Sequence, residues 1–472
     1  VQLGASELSQ PLTGITLKSA RGALVFLGDW KMTKNMMYWA AGAAISVTAL
    51  AEAGGECAPQ WSALGNGLSG SVNGQAAFDD GSGLAFYAGG FFSEAEGAPG
   101  NGIAKWDGYS WSSLGSGLDG GAINLAVFDD GSGPTLIAGG QFTEAGGVPA
   151  ANIAKWDGSQ WSPLGSGLNS SQYGDLAIFN DGSGDALYVG GFFTEAGGEQ
   201  VNYIAKWDGT SWSDLAGGVG FWVLATTVFD DGSGPALYVG GEFTTAGGIS
   251  VNSIARWDGS EWSSVGDGVP LGWVSDLVVF DNGFGPRLYA AVAQGPFGAR
   301  AHRVLAWDGE LWTQIGEDFD AQLNALAVFD AGNGPELYAG GGFTSAGSTA
   351  VNHLARWNGQ AWQPVGAGAS GADYVTVWNL NAFDLGTGSS LYSTGVFEAI
   401  DGEAMEGVGR LGCVEADCPA DATEDGQVDL SDLNIVLANF GSATTSGDAD
   451  GNGQVDLADL NIVLGAFGSQ CS

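Results

Sequence analysis

The stretch Phe128-Asp129-Asp130-Gly131-Ser132-Gly133, followed by Ile153-Ala154-Lys155-Trp156-Asp157-Gly158-Ser159-Gln160-Trp161, decides the fold. Its first part begins also at Phe78, and close variants begin at Phe179, Phe229, Phe280, Phe329 and Phe383. Its second part recurs as Trp-Asp-Gly at Trp106, Trp207, Trp257 and Trp307 and as Trp-Asn-Gly at Trp357, each with another tryptophan five residues on. Successive copies lie 49 to 51 residues apart, except for a last step of 54. Such a period marks one supersecondary unit stacked many times.

Each unit reads as four strands. An apolar run such as Leu125 to Phe128 ends in an Asp-Asp-Gly turn, and a second run, clearest at Ala236 to Gly240, ends in Gly-Gly-x-Phe. A third run alternates as Ile-Ala-Lys-Trp, turns at Asp-Gly and returns as Trp-Ser-x-Leu-Gly, the glycine supplying the positive φ of a hairpin turn. Four strands in fifty residues make one blade of a β-propeller, and a blade cannot bury both its faces alone. The spacing therefore predicts an all-β seven-bladed propeller over residues 57–413.

The ends of the array are informative. Trp61-Ser62-Ala63-Leu64 is only the fourth strand of a blade, while the seventh unit stops at Val408 to Cys413, where its own fourth strand should begin. The N-terminal strand is expected to complete the last blade, with Leu411 in the place of the first repeat tryptophan. Cys57 and Cys413 then fall on the missing Trp-Asp-Gly turn, where a disulfide would replace the hairpin. Closing so long a loop restricts the unfolded chain by about 4–5 kcal/mol in the entropic account. The other pairing, Cys413 with Cys418, stays open.

Composition sets limits on function. Thirteen Lys and Arg against 53 Asp and Glu give a formal charge of -40, which repels phosphate backbones and anionic lipid. No nucleic-acid partner is expected. In residues 1–53, Met32 opens a short basic start, Met36 to Leu50 is apolar, and Ala49-Leu50-Ala51 or Ala51-Glu52-Ala53 offers a small-residue cleavage site. Those features predict a secretory signal peptide preceded by upstream residues, and hence an extracellular protein. The apolar run falls short of the roughly 20 residues of a membrane span.

Residues 414–417 read as a linker, and residues 418–471 differ sharply from the array: from 414 onward there are eleven acids and no Lys or Arg. Two twelve-residue loops lie 27 positions apart. In the calcium-loop register the first offers Asp421, Thr423, Asp425, the carbonyl of Gln427, Asp429 and Asp432. The second offers Asp448, Asp450, Asn452, the carbonyl of Gln454, Asp456 and Asp459, and with Asp450 in place of Thr423 it is expected to bind Ca2+ more tightly. Each loop runs into the same helix, Leu433-Asn-Ile-Val-Leu or Leu460-Asn-Ile-Val-Leu, and the apolar faces of the two should pack together. Cys418 and Cys471 flank this module and are placed to clasp its ends if its halves run antiparallel; four cysteines in an exported chain then make two bridges.

Two resemblances follow from these motifs. Through Tyr-Val-Gly-Gly-x-Phe-Thr and Trp-Asp-Gly-x-x-Trp the repeat resembles the Kelch-like and galactose-oxidase-type propellers of secreted bacterial proteins. The duplicated loop-helix unit, with Asp at position 12, resembles a type I dockerin, an EF-hand-like module that docks onto a cohesin and anchors a secreted protein to a polysaccharide-degrading complex or a cell surface. Its positions 10 and 11, Leu430-Ser431 and Leu457-Ala458, depart from the Ser-Thr type pairs associated with cohesin recognition. The partner implied is a cohesin-like or other cell-surface protein.

Fold resemblance carries no activity by itself. His302 and His353 stand where other units hold Asn202 or Ser253 and read as tolerated loop substitutions. Glu94, Glu144 and Glu195 share one repeat position, as do Lys105, Lys155, Lys206, Arg256, Arg356 and Arg410, and repetition favours structural roles, the cations pairing with turn aspartates or lying on tryptophan. Phe221-Trp222, Trp273, Phe297 to Arg300 and Tyr374 to Trp378 break the repeat near the face that carries the longer loops, where aromatic platforms suit sugars. The expected function is a secreted binding or scaffold protein whose propeller recognises a polysaccharide or a protein while the calcium-loaded tail tethers it. A propeller-based glycoside hydrolase or polysaccharide lyase, and a structural surface-layer component, are the alternatives.

Overall fold

The structure is a computed structural model that describes residues 59–95, 98–108, 110–171, 174–295, 300–372, 374–386 and 388–412, and, nearer the C terminus, Val428, residues 430–440, Val455, Leu460, Val463 and Leu464. Residues 1–53, the linker 414–417 and all four cysteines, Cys57, Cys413, Cys418 and Cys471, lie outside the described residues.

The repeat folds into seven antiparallel sheets built on a common four-strand order. The second is representative: Gly121–Asp129, Pro134–Gln141, Ile153–Trp156 and Trp161–Pro163 lie side by side in chain order. The turn between the first two strands is closed by its own aspartate, since Asp129 Oδ1 accepts the backbone N–H of Gly131 at 2.8 Å and of Gly133 at 3.0 Å. Gly131 sits at φ 92°, a conformation that disfavours any side chain. The second strands are apolar on both faces, which is why Leu136, Ile137 and Ala138 are wholly buried in succession.

The seventh sheet takes three strands from the end of the array, Thr376–Asp384, Ser389–Val396 and Val408–Gly412, and its fourth from the start, Gln60–Ala63. Trp61 pairs with Leu411 in the register that Trp106 and Trp111 adopt in the first sheet. The expected completion of the last unit by the N-terminal strand is therefore made.

Seven hydrophobic clusters join the sheets. Phe78 and Tyr87 of the first sheet pack with Leu136 and Ala138 of the second, and equivalent clusters link each later sheet to the next. A seventh brings Tyr392 and Val408 of the last sheet against Phe86 of the first, with the Phe86 and Tyr392 rings stacked 4.6 Å apart. Tryptophan adds a polar stitch at these junctions: Trp161 Nε1 donates to the carbonyl of Leu114 at 3.0 Å, and Trp111 to that of Leu64 at 2.7 Å.

The repeated cations meet the turn aspartates, as expected, in the first four sheets. Lys105 lies 2.6 Å from Asp80 and Lys155 2.7 Å from Asp130, Lys206 pairs with Asp181, and Arg256 approaches Asp231 at 3.7 Å. Ala331 and Leu385 stand at the aspartate position in the last two sheets, so Arg356 turns to Glu336 and Arg410 to the hydroxyl of Ser390.

The C-terminal segment contributes the helix Leu430–Asn439 and a small core of Val428, Val436, Val455 and Val463, against which Leu433 and Leu460 pack. The members are related by the 27-residue offset of the two loops, so equivalent residues of the two halves meet. Among the described residues no helix is long and apolar enough to cross a membrane.

Candidate functional site: a cavity shared by the seven sheets

The first strands of six sheets, together with Gly174 and Asp175 just ahead of the third sheet's first strand, line one cavity of about 600 Å³. A β-bulge opens the strand at the same repeat position in six of them, between Val72 and Gly74, Ala122 and Asn124, Val223 and Ala225, Val274 and Asp276, Leu323 and Ala325, and Val377 and Asn379. Bulges re-aim side chains. Here they place Asn73, Asn124, Asp276, Asn324 and Asn379 on the cavity wall, joined by Asp175 just ahead of the third sheet's first strand.

Much of this polar wall holds one sheet to the next. Asp175 Oδ2 accepts the backbone N–H and the hydroxyl of Thr226 at 2.9 and 2.8 Å, while its Oδ1 accepts the N–H of Leu176 at 2.8 Å. Asp276 repeats the pattern two sheets on, with Leu326 N–H at 2.6 Å and Leu277 N–H at 2.7 Å. Asn324 donates to the Thr376 hydroxyl at 3.0 Å and the Val377 carbonyl at 2.9 Å, and Asn124 donates to the carbonyl of Gly174.

Both carboxyls are surrounded by protein although the cavity admits solvent to them. Burial pushes Asp276 up to about 7, against the pull of the Leu326 N–H, and the charge of Asp175 adds to the rise. Burial also raises Asp175, against its bonds to Thr226 and Leu176. Two acids held near one another in a confined polar cavity resist simultaneous ionisation.

Aromatic side chains complete the site. Trp273 and Trp378 line the cavity itself, and the Arg300 guanidinium stacks 4.1 Å from the Trp273 ring. Tyr374 lies 6.4 Å from Trp378 between ring centres. A second group forms from Phe192, Tyr203, Phe221 and Trp222, whose rings contact one another at 5.6 to 5.9 Å, with Phe192 and Phe221 exposed. Of the residues that the sequence singles out as breaking the repeat, Phe221, Trp222, Trp273, Arg300, Tyr374 and Trp378 are part of an aromatic cluster or the cavity, Val375 and Val377 pack with the core between the last two sheets, and residues 296–299 lie outside the described residues.

Asp175 and Asp276 were not among the acids that the sequence suggested. The available signal was a polar residue four positions before the repeat phenylalanine, at Asn124, Asp175, Asp276 and Asn379, inside otherwise apolar runs. The acids that did stand out, Glu94, Glu144 and Glu195, lie apart, in two-residue ribbons opposite Pro99, Pro149 and Gln200. His353 occupies a turn at φ 72°, its Nδ1 3.3 Å from the Gly341 carbonyl, whereas His302 belongs to the strand Ala301–Trp307 rather than to a loop. The hairpin is longer in the fifth sheet, which converts the loop position into paired strand. Burial lowers the pKa of both imidazoles.

Of the expected calcium ligands, Asp432 is described: it lies in the first turn of the helix Leu430–Asn439 and is wholly buried, beside the core of four valines. Asp421, Thr423, Asp425, Gln427, Asp429, Asp448, Asp450, Asn452, Gln454, Asp456 and Asp459 lie outside the described residues. A carboxylate withdrawn from solvent at a helix start suits position 12 of a cation loop.

No protein-family model and no curated protein matches the chain.

Proposed function

We propose that this chain is a secreted seven-bladed β-propeller of the Kelch-like or galactose-oxidase-like kind, carried on a dockerin-like calcium module, and that it binds a polysaccharide at the cavity its blades share. The propeller reading is supported by seven four-strand units, by clusters that run from each sheet to the next and from the last to the first, and by the strand exchange at Trp61 and Leu411. The module and its Ca2+ rest on the two loop motifs, on buried Asp432 and on the duplicated valine core. Secretion rests on the signal-like residues 32–53 and on the four cysteines, paired as Cys57 with Cys413 and Cys418 with Cys471.

The observation that carries the binding reading is the placement of Trp273 and Trp378 in a cavity whose wall also carries the amides of Asn73, Asn324 and Asn379 and the carboxyls of Asp175 and Asp276, set among aliphatic residues such as Ile123, Leu224 and Leu380. Sugars present alternating C–H faces and hydroxyl edges, which indole rings and amide groups match respectively. The tethered partner of the module is a cohesin-like or cell-surface protein.

A glycan-array and turnover screen of the full chain in calcium tests this reading. Glycan binding that is lost in Trp273→Ala and Trp378→Ala, without release of reducing ends, supports it; an array silent for the unaltered chain overturns it. The second reading, a glycoside hydrolase, is favoured by one feature: Asp276, pushed to about 7, shares the cavity with Asp175 and could act as general acid. Turnover abolished by Asp276→Asn would establish that reading instead.

A further inference from the structure

The junction between the sixth and seventh sheets differs from its counterparts in a way that creates a second cavity. Between the fourth and fifth sheets, Asp231, Tyr238, Arg256, Gly266 and Trp307 enclose about 380 Å³. There Tyr238 donates its hydroxyl to Asp231 at 2.9 Å, and Trp307 covers Gly266 so closely that an added Cβ would meet the ring at 2.5 Å. At the sixth junction the same repeat positions hold Ala331 for Asp231 and Leu411 for Trp307. Both replacements remove bulk, and the cavity there is about 940 Å³.

They also remove polar partners. Tyr338 loses the aspartate that Tyr238 uses, and Arg356 turns to Glu336 at 2.7 Å. Trp61, the second repeat tryptophan of this junction, is 6% exposed and its Nε1 makes no hydrogen bond, as is also true of Trp362 in the sixth sheet, whereas Trp312 Nε1, its counterpart between the fourth and fifth sheets, donates to Val265 at 3.1 Å. Glu403, also on the cavity wall, supplies a carboxylate acceptor, while Asp401 beside it already accepts the Ala367 N–H at 2.7 Å.

We infer that this enlarged junction is a binding site for a neutral mono- or disaccharide. A hydroxyl group both donates, as the Glu403 carboxylate requires, and accepts, as the Tyr338 hydroxyl left without its aspartate requires. An anion would meet two carboxylates and an arginine already paired with Glu336, in a chain of charge -40. The apolar part of the wall, Leu411 and Val365, suits the C–H face of a sugar ring, and the volume lies within the range of small-ligand sites. This site is separate from the cavity shared by the first strands and does not depend on the function proposed for it.

The test uses the full chain and variants that restore the repeat. Calorimetric titration and saturation-transfer NMR with glucose, galactose, mannose, xylose, cellobiose, maltose and lactose should find at least one that binds. Leu411→Trp refills the cavity and Ala331→Asp returns the acceptor for Tyr338; each should weaken that binding at least tenfold. Should Leu411→Trp misfold by circular dichroism, Ala331→Asp gives the same reading. Absence of binding by all seven sugars overturns the inference, as does binding untouched by both restoring variants. So does an experimental structure in which residues 54–58 or 413–417 fill the cavity.

Discussion

Asp276 in the fifth sheet accepts the backbone N–H of Leu326 in the sixth at 2.6 Å, so a side chain of one repeat closes a main-chain donor of the next. Asp175 makes the equivalent contact to Thr226, and the amides of Asn124 and Asn324 reach backbone carbonyls of the following repeat. The polar wall of the cavity is therefore both a candidate binding surface and part of what holds the sheets in register.

That contact has a pH signature. An unfolded aspartate titrates near 3.9, whereas burial followed by the Asp175 charge holds folded Asp276 at about 7. Between about pH 4 and 7 the folded chain keeps a proton that the unfolded chain has lost, so this group makes stability fall as pH rises through that window, by at most about 1.4 kcal/mol per pH unit. Urea unfolding at pH 5, 6, 7 and 8 should show the decline in the unaltered chain and a flatter dependence in Asp276→Asn. An identical slope in both would remove Asp276 as its source.

The turn ion pairs should behave in the opposite sense. The Lys155 ammonium, with help from Ser132, holds Asp130 down at about 2. Its contribution is present above the unfolded value near 3.9 and disappears as pH falls toward 2. Because the pair sits near the surface, Lys155→Met is expected to lower stability by only about 1 kcal/mol at pH 7 and to be nearly neutral at pH 1, below the folded value of Asp130. Comparing chemical midpoints at the two pH values checks this.

Removing the strand Gln60–Ala63 should be far more costly than its length suggests. It takes away buried Trp61 and leaves Val408–Gly412 as an unpaired edge, a template for association between chains. A chain beginning at Leu68 is expected to unfold less cooperatively and to aggregate by size-exclusion chromatography, whereas Trp61→Ala alone should cost about 3–5 kcal/mol and remain monomeric.

Calcium removal should act on the tail and spare the sheets. Chelation is expected to reduce the helical signal of the chain, because ligand binding and folding are coupled in such loops, while the tryptophan environment of the array stays unchanged. Calorimetry should find two calcium ions per chain, the tighter of them lost in Asp448→Ala with Asp450→Ala, and the weaker in Asp432→Ala.

Much of the architecture could be read directly from the residues. The four-strand unit followed from alternating apolar runs and Asp-Gly turns, the pairing of Trp61 with Leu411 from the incomplete units at the two ends, and the Lys105 to Asp80 type contacts from their shared repeat positions. These are local or periodic features, and a repeat displays each of them several times over. His302 is the exception that marks the limit: its position looked like a loop by analogy with Asn202, but a longer hairpin carries it into a strand.

What the chain determined by itself is the repeated unit, its number and the way its ends meet, because strand periodicity and turn chemistry act over a few residues. Only the tertiary structure decided that Asp175, Asp276, Trp273 and Trp378 share one cavity, and that Ala331 and Leu411 enlarge one junction. Those residues lie up to two hundred positions apart, and their grouping depends on bulges that re-aim side chains and on how successive sheets pack. The raised pKa of Asp276 arises from that packing, since desolvation and the field of the Asp175 carboxyl exist only once the sheets have assembled.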